Sequence, residues 1–143
     1  MSRIISQSDF LKWALDGTPI EVPFQVTLNC SAFGYRHWVI GGDSLGGLVA
    51  TRYVNSKLDN IDGVVLISSY PSDSYLKEVN MNVLSIWGSK DGVIDFQSLI
   101  DAKEKLPPDT TYVEIEGANH SQFGDYGKYN NDESALISGD DQK

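Results

Sequence analysis

At 143 residues, 41% of them hydrophobic, the chain has the size of one modest domain and apolar material for a single core. Its 20 acidic residues against 11 basic give a net charge of −9, which argues against a nucleic-acid partner or an anionic membrane surface, because both recruit clustered Lys and Arg. Cys30 is the single cysteine, so no intramolecular disulfide can form, and no stretch reaches the roughly 18 apolar residues of a membrane span. With no long apolar segment at the N-terminus, these features point to a cytoplasmic protein.

In chain order, Ser8 is placed to cap a short helix carrying Phe10, Leu11, Trp13, Ala14 and Leu15, which Gly17 ends. Phe24, Val26, Leu28 and Cys30 alternate with polar residues, the period of a strand with one buried face. "HWVIGG" is a short apolar strand, and Leu45 to Leu58 sets Leu48, Val49, Arg52 and Tyr53 at helical spacings. "IDGVVLISSYP" and "MNVLSIWGSKDG" predict strands buried on both faces, as in parallel sheets. Ile94 to Leu106 predicts an amphipathic helix stopped by Pro107 and Pro108, and "TTYVEIEG" a last strand. The tail from Asn119 is polar and mostly loop. Strands alternating with helices predict an α/β fold, a mostly parallel sheet flanked by helices, in one domain over residues 1–143 with residues 1–35 an atypical leading segment.

Between the strand at "HWVIGG" and the following helix lies Gly42-Asp43-Ser44-Leu45-Gly46, a G-x-S-x-G sequence. The motif is short enough to arise by chance, but its setting is the required one. A nucleophilic serine needs a tight strand-to-helix turn whose small neighbours avoid a clash while the side chain stands exposed. The helix would then aim its dipole and the Leu45 N–H at a developing oxyanion. A serine also needs a base. His120, after the last strand in "EGANHSQFG", lies at the carboxyl ends of the strands, where open α/β sheets place their sites. His37 sits at the opposite end of its strand and is the weaker candidate. The base needs a carboxylate to orient it, and Asp91 in "WGSKDG" occupies the same edge, with Asp95 and Asp125 as alternatives. The order Ser, Asp, His is that of an α/β-hydrolase sheet.

Taken together, "IGGDSLGG", "LSIWGSKDG" and "LPPDTTYVEIEGANHSQFGDYG" resemble the alpha/beta-hydrolase superfamily, and most of all its small dienelactone-hydrolase-like group. The resemblance runs from about Trp38 to Lys143. It implies Ser44 as nucleophile, Asp91 as acid member and His120 as base, with hydrolysis of a carboxylic ester or similar acyl bond and no cofactor. Three departures stand out. Asp43 replaces a frequent histidine; pointing toward the acyl oxygen it would oppose oxyanion formation, whereas pointing into the helix N-terminus, the favoured reading, it would be a favourable dipole partner. Only 43 residues precede Ser44, without a loop that supplies a second oxyanion donor, so turnover is expected to be slow. "ALISGDDQK" reads as the start of a C-terminal helix capped by Ser138, so the fold is expected as a hydrolase core shortened at both ends.

Two function classes follow. One is a serine hydrolase acting on a small-molecule acyl substrate through an acyl-enzyme. The other is a non-catalytic remnant serving as an interaction module, with acyl transfer to another acceptor a lesser variant of the first. Missing early strands would leave a sheet edge and an apolar face that a homodimer could hide. No metal is expected, since "DYGKYNNDE" lacks the spacing of a calcium loop.

Overall fold

A computed structural model describes residues 38–56, 61–124 and 127–142. The expected helix over Phe10 to Leu15, the strand from Phe24 to Cys30, His37 and Asp125 lie outside those residues. Strand β1 (Trp38–Asp43) passes through the single residue Ser44 into helix α1 (Leu45–Ser56). Strands β2 (Ile61–Ile67), β3 (Asn82–Gly88) and β4 (Thr111–Ile115) complete a four-stranded sheet in the order β1-β2-β3-β4. Gly63 lies beside Asn82 and Leu84 beside Thr111, in parallel pairings. Parallel neighbours need a crossover. A 3-10 turn at Tyr75–Glu78 lies on the β2–β3 connection, and helix α2 (Phe96–Asp101) followed by a 3-10 turn at Ala102–Lys105 lies on the β3–β4 connection.

The strand register explains where the core sits. Val64 pairs with Val83 and Leu66 with Ser85, so all four share one face, and all are buried. Val54 of α1 packs there with Leu76, Met81 and Leu106. Burying each such aliphatic side chain stabilises by roughly 1.5–3 kcal/mol. On the opposite face Val65, Leu84 and Ile86 are half-buried and Val113 is exposed, so the described residues cover fully only one of the two faces that the apolar runs led us to expect.

Three elements differ from expectation in ways that physical chemistry explains. Helix α1 buries Gly47, Val49, Ala50, Thr51 and Val54, so that of the residues set at helical spacings Val49 is buried and Leu48, Arg52 and Tyr53 are half-buried. Thr51 is tolerated there because its hydroxyl donates to the Leu48 carbonyl at 2.8 Å. The helix expected from Ile94 starts at Phe96, because the Ile94 N–H is taken by Asp91 and Asp95 becomes the N-cap, accepting from the Gln97 and Ser98 amides. It then tightens into the 3-10 turn before Pro107. The strand expected over "IDGVVLISSYP" ends at Ile67, where Ser68 turns to φ 45°. Near the C-terminus, Ser138 caps helix α3 (Gly139–Gln142) as expected: its Oγ accepts from the Asp141 N–H at 3.1 Å and donates to the Asp141 carboxylate at 2.6 Å.

Candidate active site

Because β2, β3 and β4 are parallel, their carboxyl ends share one edge of the sheet, and the candidate residues follow those ends. Ser44 joins this edge because its N–H donates to the Ile67 carbonyl at the end of β2, at 2.9 Å. Ser44 adopts φ 53°, a left-handed conformation that costs a non-glycine residue about 1–2 kcal/mol. Such strain persists only where surrounding structure enforces it. The enforcement is steric: a Cβ on Gly42 would stand 2.2 Å from the Gly46 carbonyl carbon, and one on Gly47 would stand 2.4 Å from Ser69 Oγ. Gly46, the second glycine of G-x-S-x-G, has nothing within 4 Å of its Cβ position. The close approach therefore requires Gly42 and Gly47. Leu45 is the first residue of α1, so its N–H has no acceptor within the helix.

The loops after β3 and β4 are stitched together. The Ser89 N–H donates to the Ile115 carbonyl at 3.1 Å, the Lys90 N–H to Ala118 at 2.8 Å, and the Gly117 N–H to Ser89 Oγ at 2.8 Å. This brings Asp91 to His120, both buried, with Asp91 Oδ2 2.9 Å and Oδ1 3.1 Å from His120 Nδ1. Asp91 Oδ1 also accepts the Val93 and Ile94 amides, each at 2.9 Å. Burial by itself would raise the Asp91 pKa. The His120 hydrogen bond and the Ile94 amide, aided by the Val93 amide, outweigh it and hold the carboxyl below its ordinary range. An ionised carboxylate can only accept. Nδ1 must therefore carry the proton, and in neutral His120 the basic nitrogen is Nε2.

Nε2 is buried and has no hydrogen-bond partner, so Ser44 Oγ and His120 are not bonded to one another. Burial pushes the His120 pKa down. The Asp91 hydrogen bond and charge, helped by the charges of Asp43 and Asp132, more than reverse this and leave it raised. Asp43, next to Ser44, has a raised pKa, chiefly from burial, with His120 lowering and Asp91 raising it. Its Oδ1 is buried without a partner. Asp43 thus stands among the charges of the Asp91–His120 pair. Asp95 serves as the α2 cap, which accounts for its carboxylate without His120. Among the described residues no group of acidic, histidine or cysteine side chains could hold a metal ion.

One residue that sequence reasoning left in a solvated loop belongs to this neighbourhood. Asp132 is buried, and it accepts from the Gly92 N–H at 3.0 Å, the His120 N–H at 3.3 Å, and Ser121 through both N–H (2.8 Å) and Oγ (2.6 Å). In "NNDE" nothing distinguishes it from its polar neighbours.

Among the described residues no helix is long and apolar enough to cross a membrane. No curated protein matches the sequence. Solved structures do, by fold. A CIB-like hydrolase from Thermoplasma acidophilum is 22% identical with a TM-score of 0.55, covering 69% of this chain and 49% of its own. An esterase from Rhodococcus sp. ECU1013 is 16% identical with a TM-score of 0.57, covering 81% of this chain and 67% of its own. Carboxylesterase CesB from Bacillus subtilis is 12% identical with a TM-score of 0.51, covering 66% of this chain and 57% of its own. The chain thus spans from about half to two-thirds of these relatives' lengths. Residues 28–143 match the alpha/beta hydrolase family, a span that includes the strained serine turn and the joined loops. The chain belongs to the alpha/beta hydrolase family.

Proposed function

We propose that the chain is a serine hydrolase that cleaves a carboxylic ester or related acyl bond, with Ser44 as nucleophile, His120 as base and Asp91 as the acid member. The observation that carries this reading is the buried Asp91–His120 pair, which fixes the tautomer with Nε2 basic on the edge where Ser44 is held at φ 53°. Rotation of Ser44 Oγ toward Nε2 passes its proton to His120 as oxygen attacks the acyl carbonyl. The tetrahedral oxyanion accepts from the Leu45 N–H. His120 then protonates the departing alcohol and leaves Ser44 acylated. Water, deprotonated by His120, attacks the acyl-enzyme, and the acid leaves as Ser44 regains its proton. That two structural neighbours bear the names esterase and carboxylesterase is in keeping with an ester substrate.

The test is labelling by a serine-directed phosphonate alongside hydrolysis of a short activated ester. Ser44→Ala abolishes both with an unchanged far-UV CD spectrum. Asp91→Asn lowers kcat by as much as ~10⁴-fold, the loss seen when the imidazole tautomer is wrong in the protease case that defines the triad, whereas Asp95→Asn retains activity. A folded wild-type protein that neither labels nor hydrolyses would replace this reading with the non-catalytic one.

A further inference from the structure

The mechanism above uses one carboxylate, Asp91, and gives no role to a second buried one that touches both loops of the site, Asp132. Asp132 lies in a segment remote in sequence from Asp91, yet its Oδ1 accepts both the amide that follows Asp91 and the amide of His120 itself. Its Oδ2 holds Ser121, whose Oγ in turn accepts the Tyr129 N–H at 3.0 Å. The chain around Asp132 comes so close to the acid loop that a Cβ on Gly92 would stand 2.6 Å from the Asn131 carbonyl oxygen and 2.7 Å from the Glu133 nitrogen. Gly92 is thus the residue that lets the segment in. Burying a carboxylate is costly unless it is fully bonded, and here its partners come from the acid loop and from the base loop alike.

We propose that Asp132 is a positioning residue that clamps the Asp91 loop to the His120 loop and so sets the geometry between acid and base. This rests on the hydrolase reading above. His120 is faced by Asp91 from the loop after β3, by Asp43 from the end of β1 and by Asp132 from the later loop, while the Tyr129 ring stands edge-on at 5.1 Å. All three carboxylates raise the His120 pKa, so removing the charge of Asp132 lowers it. In Asp132→Asn the remaining oxygen can still serve Gly92 and His120, while the amide group presents donors to the Ser121 N–H and loses that bond. Asp132→Ala loses every bond.

Two readouts separate positioning from general stability: the pH dependence of kcat and KM on an activated ester, and the NMR titration of the His120 ring without substrate. In Asp132→Asn the His120 titration and the acidic limb of kcat/KM both move to lower pH. Its kcat falls about 10-fold at unchanged KM, and that of Asp132→Ala falls by up to ~10²-fold, the scale of an ångström-sized misplacement. Glu104→Gln, which removes an exposed charge from the turn after α2, moves neither. A wild-type His120 titration and wild-type kcat in Asp132→Asn would overturn the proposal. Should Asp132→Ala fail to fold, Asp132→Asn still decides. Should the wild-type chain hydrolyse no ester, the proposed function fails, while the His120 Nδ1 proton resonance, which reports its bond to Asp91, still decides: it broadens or moves in Asp132→Asn if the clamp sets that bond and stays as in the wild type if it does not.

Discussion

Substituting alanine in turn for Gly42 and Gly46, four positions apart, separates geometry from motif. At Gly42 the added methyl would meet the Gly46 carbonyl carbon at 2.2 Å, its oxygen at 2.3 Å and the Gly47 nitrogen at 2.5 Å. Carbon atoms in contact sit about 3.5–4.0 Å apart. The overlap exceeds 1 Å and falls on backbone, so no rotamer relieves it and the turn between β1 and α1 must open. Overpacking of this kind costs about 1–3 kcal/mol, roughly 2–4 °C in Tm per kcal/mol at this chain length. The opening also displaces Ser44, for which a loss of ~10²-fold in phosphonate labelling is the natural scale. Gly46 lies in the first turn of α1 with nothing within 4 Å of its Cβ position. Alanine there gains roughly 0.5–1 kcal/mol of helix stability. Thermal melts and labelling rates on both variants therefore move apart: Gly42→Ala melts lower and labels slowly, while Gly46→Ala melts slightly higher and labels as the wild type does. Shifts of the same sign in both variants would refute the steric account of the turn.

Ser44→Gly should be more stable than Ser44→Ala by about 0.5–1 kcal/mol, because relief of the left-handed φ exceeds the extra chain entropy of glycine; equal melting temperatures would mean that the turn stores no strain. The raised His120 pKa places the acidic limb of kcat/KM above the ordinary histidine value of about 6.5, since only neutral His120 accepts the serine proton. In stability the same shift helps fully below about pH 6.5 and is lost as pH rises through the folded pKa, while the lowered Asp91 pKa helps above about pH 3.9 and is lost as pH falls through its own. Melts across pH should then show His120→Ala flattening the alkaline decline and Asp91→Asn the acidic one, and an unchanged alkaline decline in His120→Ala would contradict the assigned direction.

Element type was largely legible because each apolar run carries its own period. β2 and β3 are short apolar runs each followed by a small polar residue, Ser68 and Ser89, and the residue after Gly42 and Asp43 leads directly into α1. Ser44, Asp91 and His120 could be selected because each follows a strand in a sheet whose parallel order aligns the carboxyl ends. What could not be read was anything decided by close approach between remote segments. "DG" at Asp91-Gly92 reads as a turn, whereas the glycine is needed to admit residues 131–133. The buried face of α1 turned on a hydroxyl satisfying its own helix at Thr51, which a hydropathy pattern scores as polar. The start of α2 turned on Asp91 taking the Val93 and Ile94 amides and Asp95 those of Gln97 and Ser98.

Placement by the sheet and placement by hydrogen bonds act on different length scales, and the candidate site needs both. Parallel strands bring their following loops to one edge, but strand spacing of about 4.8 Å is coarse beside the few tenths of an ångström that decide a hydrogen bond. The loop that carries His120 is further fixed by residues that come later in the chain. Asn119 has its N–H accepted by Gln142 Oε1 at 3.1 Å and its carbonyl bonded by Gln142 Nε2 at 2.7 Å, and its own amide group donates to the Glu133 carbonyl at 2.8 Å. His120 and Ser121 give their amides to Asp132. Three consecutive residues, the histidine at their centre, are thus fixed by side-chain and backbone partners between residues 132 and 142. The same segment reaches Gly92 on the acid side. A loop held by neutral solvent-exposed bonds would let the imidazole sample several orientations, whereas buried bonds to an ionised carboxylate are stronger, the short ones here being those from Ser121 N–H and Oγ at 2.8 and 2.6 Å. The polar C-terminal stretch, in which composition alone suggests only loop, therefore adds bonds to all three residues around His120, beside those that join the loops after β3 and β4 directly.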